Sequence, residues 1–200
     1  MKYKPYNLKD VVEASKQEKF TVVSTFAGGG GSSTGYRLAG GKILCVNEFV
    51  EQAINTYKEN YPNTPVLPDD IKKLTAEDFN KYGDIDIFDG SPPCSAFSVS
   101  GAMVQGSHSK GWGQTKSYSD GKKVENIEDL FFEFLRIAKD LKPKVIIAEN
   151  VKGLTVGEAK NYLFKIVNTF EEIGYDVSYK VLNSVHYGVP QTRQRTIFIA

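Results

Sequence analysis

The strongest candidate for a reactive residue in this sequence is Cys94, which directly follows a strand-like stretch and two prolines. Apolar residues mixed with aspartates over residues 84–89 predict a short buried strand, and the run GSPP at residues 90–93 must end it. The fixed φ angles of the prolines then hold the thiol at the carboxyl edge of a sheet, where α/β proteins place their chemistry. A buried, inert cysteine is the alternative, because free cysteines are among the most buried residues. The prolines and the small polar neighbours favour a reactive thiol.

An acid and two arginines further along the chain are the next candidates. An apolar strand predicted over residues 144–148 runs into Glu149 and Asn150, and a carboxylate at the end of a buried strand is costly unless it is paired. A helix N-cap is the alternative, and it explains Asn150 better than Glu149. Arg193 and Arg195 are two residues apart on an extended segment, so their side chains point the same way, although solvation at the surface is the usual fate of such a pair. Glu149 is therefore the second catalytic candidate.

A glycine-rich segment at residues 27–35 is a candidate ligand-binding loop. A strand predicted over 20–26 leads into it, and a helix predicted over 32–39 would turn its N-terminus toward a ligand that the glycines let the backbone approach. A second strand over 42–47 ends at Glu48. A glycine loop alone is often only a turn or linker, but this order of elements is a stronger signal.

The spacing within this unit indicates what kind of ligand it takes. Glu48 lies twenty positions after Gly28. Rossmann-type units have a similar spacing between the glycine loop and the carboxylate that they present to ribose hydroxyls. A nicotinamide enzyme would show G-x-G-x-x-G, whereas this loop has the pattern Gly28-x-Gly30-Gly31-x-x-x-Gly35. The loop therefore predicts a nucleoside ligand without a pyrophosphate.

The remaining elements follow from periodicity and from helix stop signals. Helices are predicted over residues 49–61, 75–82, 126–141 and 158–173, a short strand and turn over 65–71, and strands over 176–182 and 196–200. Thr75 followed by Asp78 resembles a capping box at the start of the second of these helices.

Composition bounds the class of protein. The 200 residues suffice for one domain. The formal charge of +1 is not the strong positive charge typical of nucleic-acid-binding proteins, so any nucleic acid must be bound by a local surface or with the aid of a partner. The two cysteines show no disulfide or zinc spacing, and we expect no metal. No apolar run approaches a membrane span and no signal peptide is evident, so we expect an intracellular, cytoplasmic protein. We expect a leader at residues 1–19 and one domain over 20–200.

A long region at about residues 99–124 is rich in Gly, Ser, Lys and Gln. Its lysines alternate with Trp112 and Tyr118, a combination suited to phosphate contact and base stacking. Solvated disorder is the alternative, because structureless loops of this length are either functional or disordered.

Five motifs in order resemble those of the cytosine-C5 DNA methyltransferases. They are FAGGGGSSTGYRLAGG, the acid Glu48, GSPPCSAFS, AENV and YGVPQTRQR, and the likeness runs from about residue 22 to the last residue. The resemblance implies an α/β fold, namely the Rossmann-like, doubly wound and mostly parallel sheet of S-adenosylmethionine-dependent methyltransferases. It also implies S-adenosyl-L-methionine as cofactor, held by residues at the matching positions: Phe26, Gly28, Gly30, Gly31, Glu48, Phe49, Asp70, Ile71 and Leu130.

The resemblance implies a role for each catalytic candidate. Carbon 5 of cytosine is too weak a nucleophile to take a methyl group from a sulfonium, so the Cys94 thiolate would first add at carbon 6. Glu149 would hold or protonate N3 of the ring, Arg195 would donate to the 2-oxo group, and Arg193 would brace Glu149. The base must leave the duplex, and the long loop after Cys94 would close over it. The substrate pocket would be shaped by Pro93, Ser95, Asn150 and Val151.

Three departures from the family pattern qualify this interpretation. Ser95 stands where the family usually has Gln, and Glu128 stands where Arg-Gly commonly precedes Leu-Phe. Family members continue into a target-recognition domain and a last helix beyond the position of Arg195. We therefore expect either part of a longer enzyme or one subunit of a split enzyme, acting on double-stranded DNA in a prokaryotic or phage-like restriction-modification context, with the missing part as its partner.

Three other functions stay open from the sequence. A noncatalytic subunit of a split methyltransferase would keep the fold and bind cofactor or protein only, although the intact catalytic set argues against it. A transfer RNA cytosine-C5 methyltransferase is a variant that the sequence does not separate. A nicotinamide oxidoreductase is disfavoured by the glycine spacing.

Overall fold

The computed structural model describes residues 5–93, 115–118, 120–157 and 159–200. The chain divides into two compact units. The amino-terminal unit contains residues 5–91 and 136–147, and the carboxyl-terminal unit contains the described residues of 92–135 and 148–200.

The amino-terminal unit is built from parallel strands and four helices. Strand β1 pairs in parallel with β2 on one side and β4 on the other, and β2 pairs in parallel with β3. In chain order the elements are α1 (Leu8–Ser15), β1 (Thr21–Thr25), α2 (Gly31–Leu38), β2 (Lys42–Asn47), α3 (Glu51–Asn60), β3 (Val66–Leu67), a 3₁₀ turn (Ile71–Lys73), α4 (Ala76–Asn80) and β4 (Ile87–Gly90).

Local sequence explains where these elements begin and what they bury. The Asn7 side chain accepts hydrogen bonds from the backbone N–H groups of Lys9 and Asp10, and the Asn7 backbone N–H donates to the Asp10 carboxylate, so α1 starts with a capping box. The backbone N–H of Thr75 likewise donates to Asp78 at the start of α4, as predicted. Helix α1 lies within the predicted leader, and its Val11 is fully buried. A core cluster of this unit consists of Val11, Val22, Ala27, Ile43, Val46, Tyr57 and Tyr61.

An ion pair stands at the amino ends of the strands in this unit. Oδ1 of Asp86 accepts from Nζ of Lys144 at 2.6 Å, and Oδ2 accepts from the backbone N–H of Thr21 at 2.8 Å. The Thr21 hydroxyl also donates to the Asp84 carbonyl at 2.6 Å. These bonds tie the start of β1 to the residue before β4, at the edge opposite to the glycine loop.

The carboxyl-terminal unit contains a hairpin, one complete helix and an antiparallel strand pair. Strands β8 and β9 are antiparallel, with Leu182 opposite Arg195. The elements within it are β5 (Lys116–Ser117), β6 (Lys123–Val124), a 3₁₀ turn (Ile127–Asp129), a second such turn (Lys152–Thr155), α6 (Ala159–Glu172), β8 (Ser178–Asn183), a third turn (Ser184–Tyr187) and β9 (Gln194–Ile199).

An aromatic cluster forms the centre of this unit. The ring of Phe131 makes edge contacts with Phe170 at 6.3 Å and with Phe198 at 5.6 Å between centroids. The rings of Phe170 and Phe198 stack at 6.1 Å. All three side chains are essentially inaccessible to solvent, so α6 and β9 share one core.

Helix α5 (Leu130–Leu141) and strand β7 (Val145–Val151) each run from one unit into the other. The strand order is β3-β2-β1-β4-β7-β9-β8, with β8 and β9 the antiparallel pair. This mixed, mostly parallel seven-stranded sheet with helices confirms the predicted fold class. Of the helices that the structure describes, none has the length and apolar character needed to cross a bilayer.

Several predicted bounds need adjustment. Strand β2 has the predicted limits, but β7 extends three residues further than predicted, so Glu149 and Asn150 lie inside it. The predicted helix over 126–141 begins with a 3₁₀ turn, and within the short strand and turn predicted over 65–71 the strand is Val66–Leu67. Residues 99–114 of the predicted long loop lie outside the described residues, and the part after them forms the β5–β6 hairpin.

Candidate functional site

Glu149 is paired with both predicted arginines. Its Oε1 lies 2.9 Å from Nε of Arg195 and 3.7 Å from a terminal nitrogen of Arg193. The closer partner is thus Arg195, whereas bracing of Glu149 was expected from Arg193. The reason is position: Arg195 lies within strand β9, and Arg193 precedes that strand with half of its side chain exposed. A carboxylate and two guanidinium groups converge here, and such groups form strong, charge-assisted hydrogen bonds.

The backbone that carries these arginines is held by one hydroxyl group. Ser184 Oγ donates to the Gln191 carbonyl at 2.5 Å and accepts from the Arg193 N–H at 3.2 Å. The Ser184 backbone N–H donates to the Arg193 carbonyl at 3.0 Å, and its carbonyl accepts from the Val189 N–H at 3.3 Å. These bonds hold residues 189–193, just before β9, against Ser184. They therefore fix the backbone from which the two arginine side chains extend.

These side chains line a pocket of about 260 Å³ within the carboxyl-terminal unit. Besides Glu149, Arg193 and Arg195 its lining includes Ser184 and Tyr187, which the sequence analysis did not single out. The signal for them was available, since both lie in the turn-rich segment just before the arginines. The other lining residues are Leu182 and Ile197.

Asn150 and Val151 are the last two residues of β7, and their hydrogen bonds hold the end of the strand that carries Glu149. Asn150 is buried, and its Nδ2 donates to the Pro92 carbonyl at 3.4 Å while its Oδ1 accepts from the Val151 N–H at 2.7 Å. The Val151 carbonyl accepts from the Thr196 hydroxyl at 3.3 Å, which links β7 to β9. Pro93 is half-buried and directly follows Pro92. The amide of Asn150 thus connects the Glu149 strand to the proline segment.

Cys94 and Ser95 lie outside the described residues, so their roles stay predictions. The other cysteine, Cys45, is fully buried in β2. Burial raises the pKa of the Cys45 thiol to about 12. A thiol with such a pKa carries almost no thiolate at neutral pH, so Cys45 is unsuited to nucleophilic attack.

The glycine loop of the amino-terminal unit is organised around Glu48. Oε2 of this buried acid accepts from the Gly28 N–H at 2.7 Å, and Oε1 accepts from the Phe49 and Val50 N–H groups at 2.8 Å each. Phe26, half-buried before the loop, has a φ of +53°. The structure thus brings Phe26, Gly28, Glu48 and Phe49 together, with Glu48 bonded to the backbone of its neighbours.

Asp70 and Ile71 are held beside β2 by an asparagine. Asn47 Nδ2 donates to the carbonyls of Leu67 at 3.0 Å and Asp69 at 2.8 Å. Asp70 caps the following 3₁₀ turn through the Lys72 N–H, and Ile71 is buried. Leu130 is buried in the carboxyl-terminal unit, at the start of α5.

The geometry of the loop fits a ligand that the backbone approaches closely. An added Cβ at Gly28 or Gly31 would meet open space, whereas one at Gly30 would come within 3.0–3.2 Å of the Tyr61 and Tyr57 rings. Gly30 also has a φ of +95°, which L side chains rarely adopt. The loop is therefore packed against aromatic rings at Gly30 and clear at Gly28 and Gly31.

The chain is similar to known proteins over most of its length. A sequence profile of the family described as C-5 cytosine-specific DNA methylase matches residues 20–200. The chain is 33% identical over 178 residues to the Type II methyltransferase M.NgoPII of Neisseria gonorrhoeae, covering 89% of this chain and 47% of that protein. It is 36% identical over 183 residues to M.Eco47II of Escherichia coli, covering 90% of this chain and 39% of the relative. The chain thus spans less than half the length of these curated relatives.

Solved structures show the same fold. A prophage-encoded Escherichia coli protein, assigned as a DNA modification methyltransferase, superposes with a TM-score of 0.70 and 26% identity over 90% of this chain and 46% of that structure. The DNMT2 structure of Spodoptera frugiperda gives a TM-score of 0.66 at 22% identity, covering 90% of this chain and 49% of that one, which shows the fold alone. The profile match over nine-tenths of the chain confirms the resemblance found in the motifs, and the chain belongs to the C-5 cytosine-specific DNA methylase family.

Proposed function

We propose that this chain is the catalytic part of a DNA cytosine-C5 methyltransferase that uses S-adenosyl-L-methionine. The observation that carries the proposal is the convergence of Arg193 and Arg195 on one oxygen of Glu149 at the edge of a 260 Å³ pocket. A carboxyl group and a guanidinium donor together match the N3 and 2-oxo edge of cytosine.

In this proposal each residue acts on one atom of the flipped base. The Cys94 thiolate adds to carbon 6, which moves an electron pair into the ring and makes carbon 5 nucleophilic. Glu149 would hold or protonate N3, and Arg195 would donate to the 2-oxygen, so both would stabilise the charge that the addition creates. When carbon 5 takes the methyl group, the carbon–sulfur bond of the sulfonium breaks and S-adenosyl-L-homocysteine is the leaving group. Transfer of the carbon 5 proton to a water molecule then returns the electron pair to the ring and expels the Cys94 thiolate.

The cofactor would be held in the glycine-loop region. S-adenosyl-L-methionine, when bound, supplies the electrophilic methyl group. The open space beside Gly28 and Gly31 leaves room for it, and Glu48 has one carboxylate lone-pair position beyond the three backbone bonds that it already accepts. The other residues proposed to contact it are Phe26, Gly30, Phe49, Asp70, Ile71 and Leu130.

Double-stranded DNA is the proposed substrate, and target recognition is proposed to come from a further segment or a second subunit. The support is that the chain covers less than half of the Type II methyltransferases that it matches. The proposed domain at residues 20–200 would then supply the chemistry, and the loop at about residues 99–124 would cover the extruded base. Pro93, Ser95, Asn150 and Val151 are proposed to shape its pocket.

A covalent trap tests the proposal directly. DNA carrying 5-fluorocytosine has no proton to lose at carbon 5, so elimination is blocked and the Cys94 adduct accumulates. The chain, alone and together with a carboxyl-terminal segment or subunit, would be incubated with this DNA and cofactor, and the adduct mapped by mass spectrometry. We expect the adduct on Cys94, none with Cys94→Ser, and an unchanged yield with Cys45→Ala.

Each other outcome points to a different function. Methyl transfer to ordinary DNA that survives Cys94→Ser would contradict the proposed chemistry. Cofactor binding without an adduct or transfer under any condition would favour a noncatalytic subunit. Transfer to transfer RNA but not to DNA would keep the mechanism and change the substrate.

A further inference from the structure

A buried acid that the proposed mechanism does not use lies at the end of β4. Asp89 is 4% exposed, and each of its carboxylate oxygens accepts a hydrogen bond from a hydroxyl group. Ser24 Oγ donates to Oδ2 at 2.7 Å, and the Tyr36 hydroxyl donates to Oδ1 at 2.9 Å. All three residues belong to the amino-terminal unit.

The partners of Asp89 come from the two sides of the glycine loop. Ser24 and Thr25 are the last residues of β1 before the loop, and the Thr25 hydroxyl donates to the Asp89 carbonyl at 3.1 Å. Tyr36 lies in α2, which begins immediately after the loop at Gly31. Ser24 Oγ also lies 3.5 Å from Oγ of Ser32 in the first turn of α2. One residue therefore ties the chain entering the loop to the helix leaving it.

The loop between these anchors has an unusual backbone conformation. Phe26, Gly28 and Gly30 all have positive φ angles of +53°, +54° and +95°. A non-glycine residue at a positive φ is unfavourable and persists only where its surroundings hold it. The surroundings that hold it include Glu48, which accepts from the Gly28 N–H, and Asp89, which bonds the strand before the loop and the helix after it.

The hydrogen bonds of Ser24 and Tyr36 to Asp89 have the chemistry needed to fix the orientation of these side chains. Burial, followed by the nearby charge of Asp89 and the hydrogen bond to it, raises the pKa of Tyr36 well above its ordinary value, so the hydroxyl stays protonated and donates. A buried carboxylate costs free energy that an apolar side chain would not, and hydrogen bonds to a charged group are stronger and more directional than packing.

We propose that Asp89, through Ser24 and Tyr36, is a positioning residue that holds the glycine loop and the start of α2 in the geometry that binds the cofactor. The effect on cofactor binding rests on the proposed function, whereas the anchoring of the loop rests only on the hydrogen bonds of Asp89. Asp89 contacts no cofactor in this scheme and acts through the two hydroxyl groups.

Hydrogen exchange on the 200-residue chain tests the anchoring without cofactor. Asp89→Asn keeps the size of the side chain and removes its charge, and Tyr36→Phe removes one donor with less risk to folding. The control is Thr21→Val, which removes hydroxyl bonds at the opposite end of β1. We expect amides of residues 26–36 to exchange about tenfold faster in both test variants than in the control.

Titration with S-adenosylhomocysteine supplies the second measurement. We expect about tenfold weaker binding in Asp89→Asn and Tyr36→Phe and unchanged binding in Thr21→Val, although Thr21→Val also lowers stability. Exchange over residues 26–36 that rises no more than in the control would overturn the anchoring, whatever the binding data. Faster exchange in a chain whose wild type binds no cofactor would leave the anchor standing and remove the proposed function.

Discussion

Arg195 and Glu149 form a close side-chain pair between strands β9 and β7, with 2.9 Å from Nε to Oε1, and Arg193 reaches the same oxygen only at 3.7 Å. The two arginines are therefore unequal. Arg195 is 27% exposed and set in a strand, whereas Arg193 is 51% exposed and lies before it.

The inequality of the arginines predicts unequal losses on conservative replacement. Arg195→Lys keeps the charge but loses the planar donor, and we expect methyl transfer to fall by roughly 10²–10³-fold. Arg193→Lys should cost about fivefold or less, because an exposed pair contributes about 1 kcal/mol at most. Single-turnover methyl transfer measures both. Equal losses in the two variants would contradict the prediction that the arginine closer to Glu149 contributes more to methyl transfer.

Ser184 should control activity through the position of the arginine segment. Ser184→Ala removes the bonds to the Gln191 carbonyl and the Arg193 N–H, at a cost of about 1–2 kcal/mol in the positioning of the arginine segment. We expect a lower kcat and an unchanged KM for the cofactor. The control is Ser178→Ala, an exposed serine at the start of the same strand β8, which should change neither.

Gly30 and Gly31 should respond differently to alanine although they are neighbours. Gly30→Ala places a Cβ against the Tyr57 and Tyr61 rings at a positive φ, and we expect a loss of about 1–3 kcal/mol in the free energy of unfolding. Gly31→Ala points into open space at the start of α2, so stability should hold while cofactor affinity falls. Denaturant unfolding and cofactor titration separate the two effects.

The ion pair of Asp86 and Lys144 predicts a dependence of stability on pH. The hydrogen bond from Lys144, followed by that from the Thr21 backbone, lowers the pKa of Asp86, so its folded-state pKa lies below its unfolded one. Its stabilisation is therefore present above the unfolded value of about 4 and is lost as pH falls through the folded pKa.

Asp86→Asn should accordingly lower the free energy of unfolding at pH 7, and the difference from wild type should shrink toward pH 3. Urea unfolding at several pH values measures this. Asp84→Asn, an exposed neighbour two residues earlier, is the control and should show no such trend. A difference that persists unchanged to pH 3 would contradict the role of the Asp86 charge.

The two cysteines should differ in reactivity. Because Cys45 is buried and its pKa is raised to about 12, we expect it to resist iodoacetamide at pH 8 until the chain unfolds. Mass spectrometry of peptides from native and urea-treated protein tests this. Rapid modification of native Cys45 would show that β2 opens readily.

The sequence predicted the elements whose signals are local. Strand β2 and the capping box at Thr75 were found because alternation and capping depend on adjacent residues. The pairing of Glu149 with the arginines was anticipated only through the family motifs, since 44 and 46 positions separate them from the acid. Composition hid the β5–β6 hairpin, because two-residue strands in a Gly- and Lys-rich region leave no periodic pattern.

The Asp89 cluster shows what sequence reasoning could not reach. Asp89 was counted among the polar residues of a short strand, and Tyr36 as one residue of a helix. Their hydroxyl–carboxylate bond joins positions 53 apart, and neither position carries a local mark of it. Glu48 illustrates a similar limit, since its spacing suggested a ribose contact while its three bonds to backbone N–H groups depend on the loop conformation.

Within the amino-terminal unit, Asp86 and Lys144 stand at one edge of the strands, and the glycine loop with Asp89 stands at the other. Tolerance to heat or acid can therefore be adapted through the first edge while the second is left untouched. Substitutions near Thr21 and Lys144 would act on stability at the first edge, at a distance from the glycine loop.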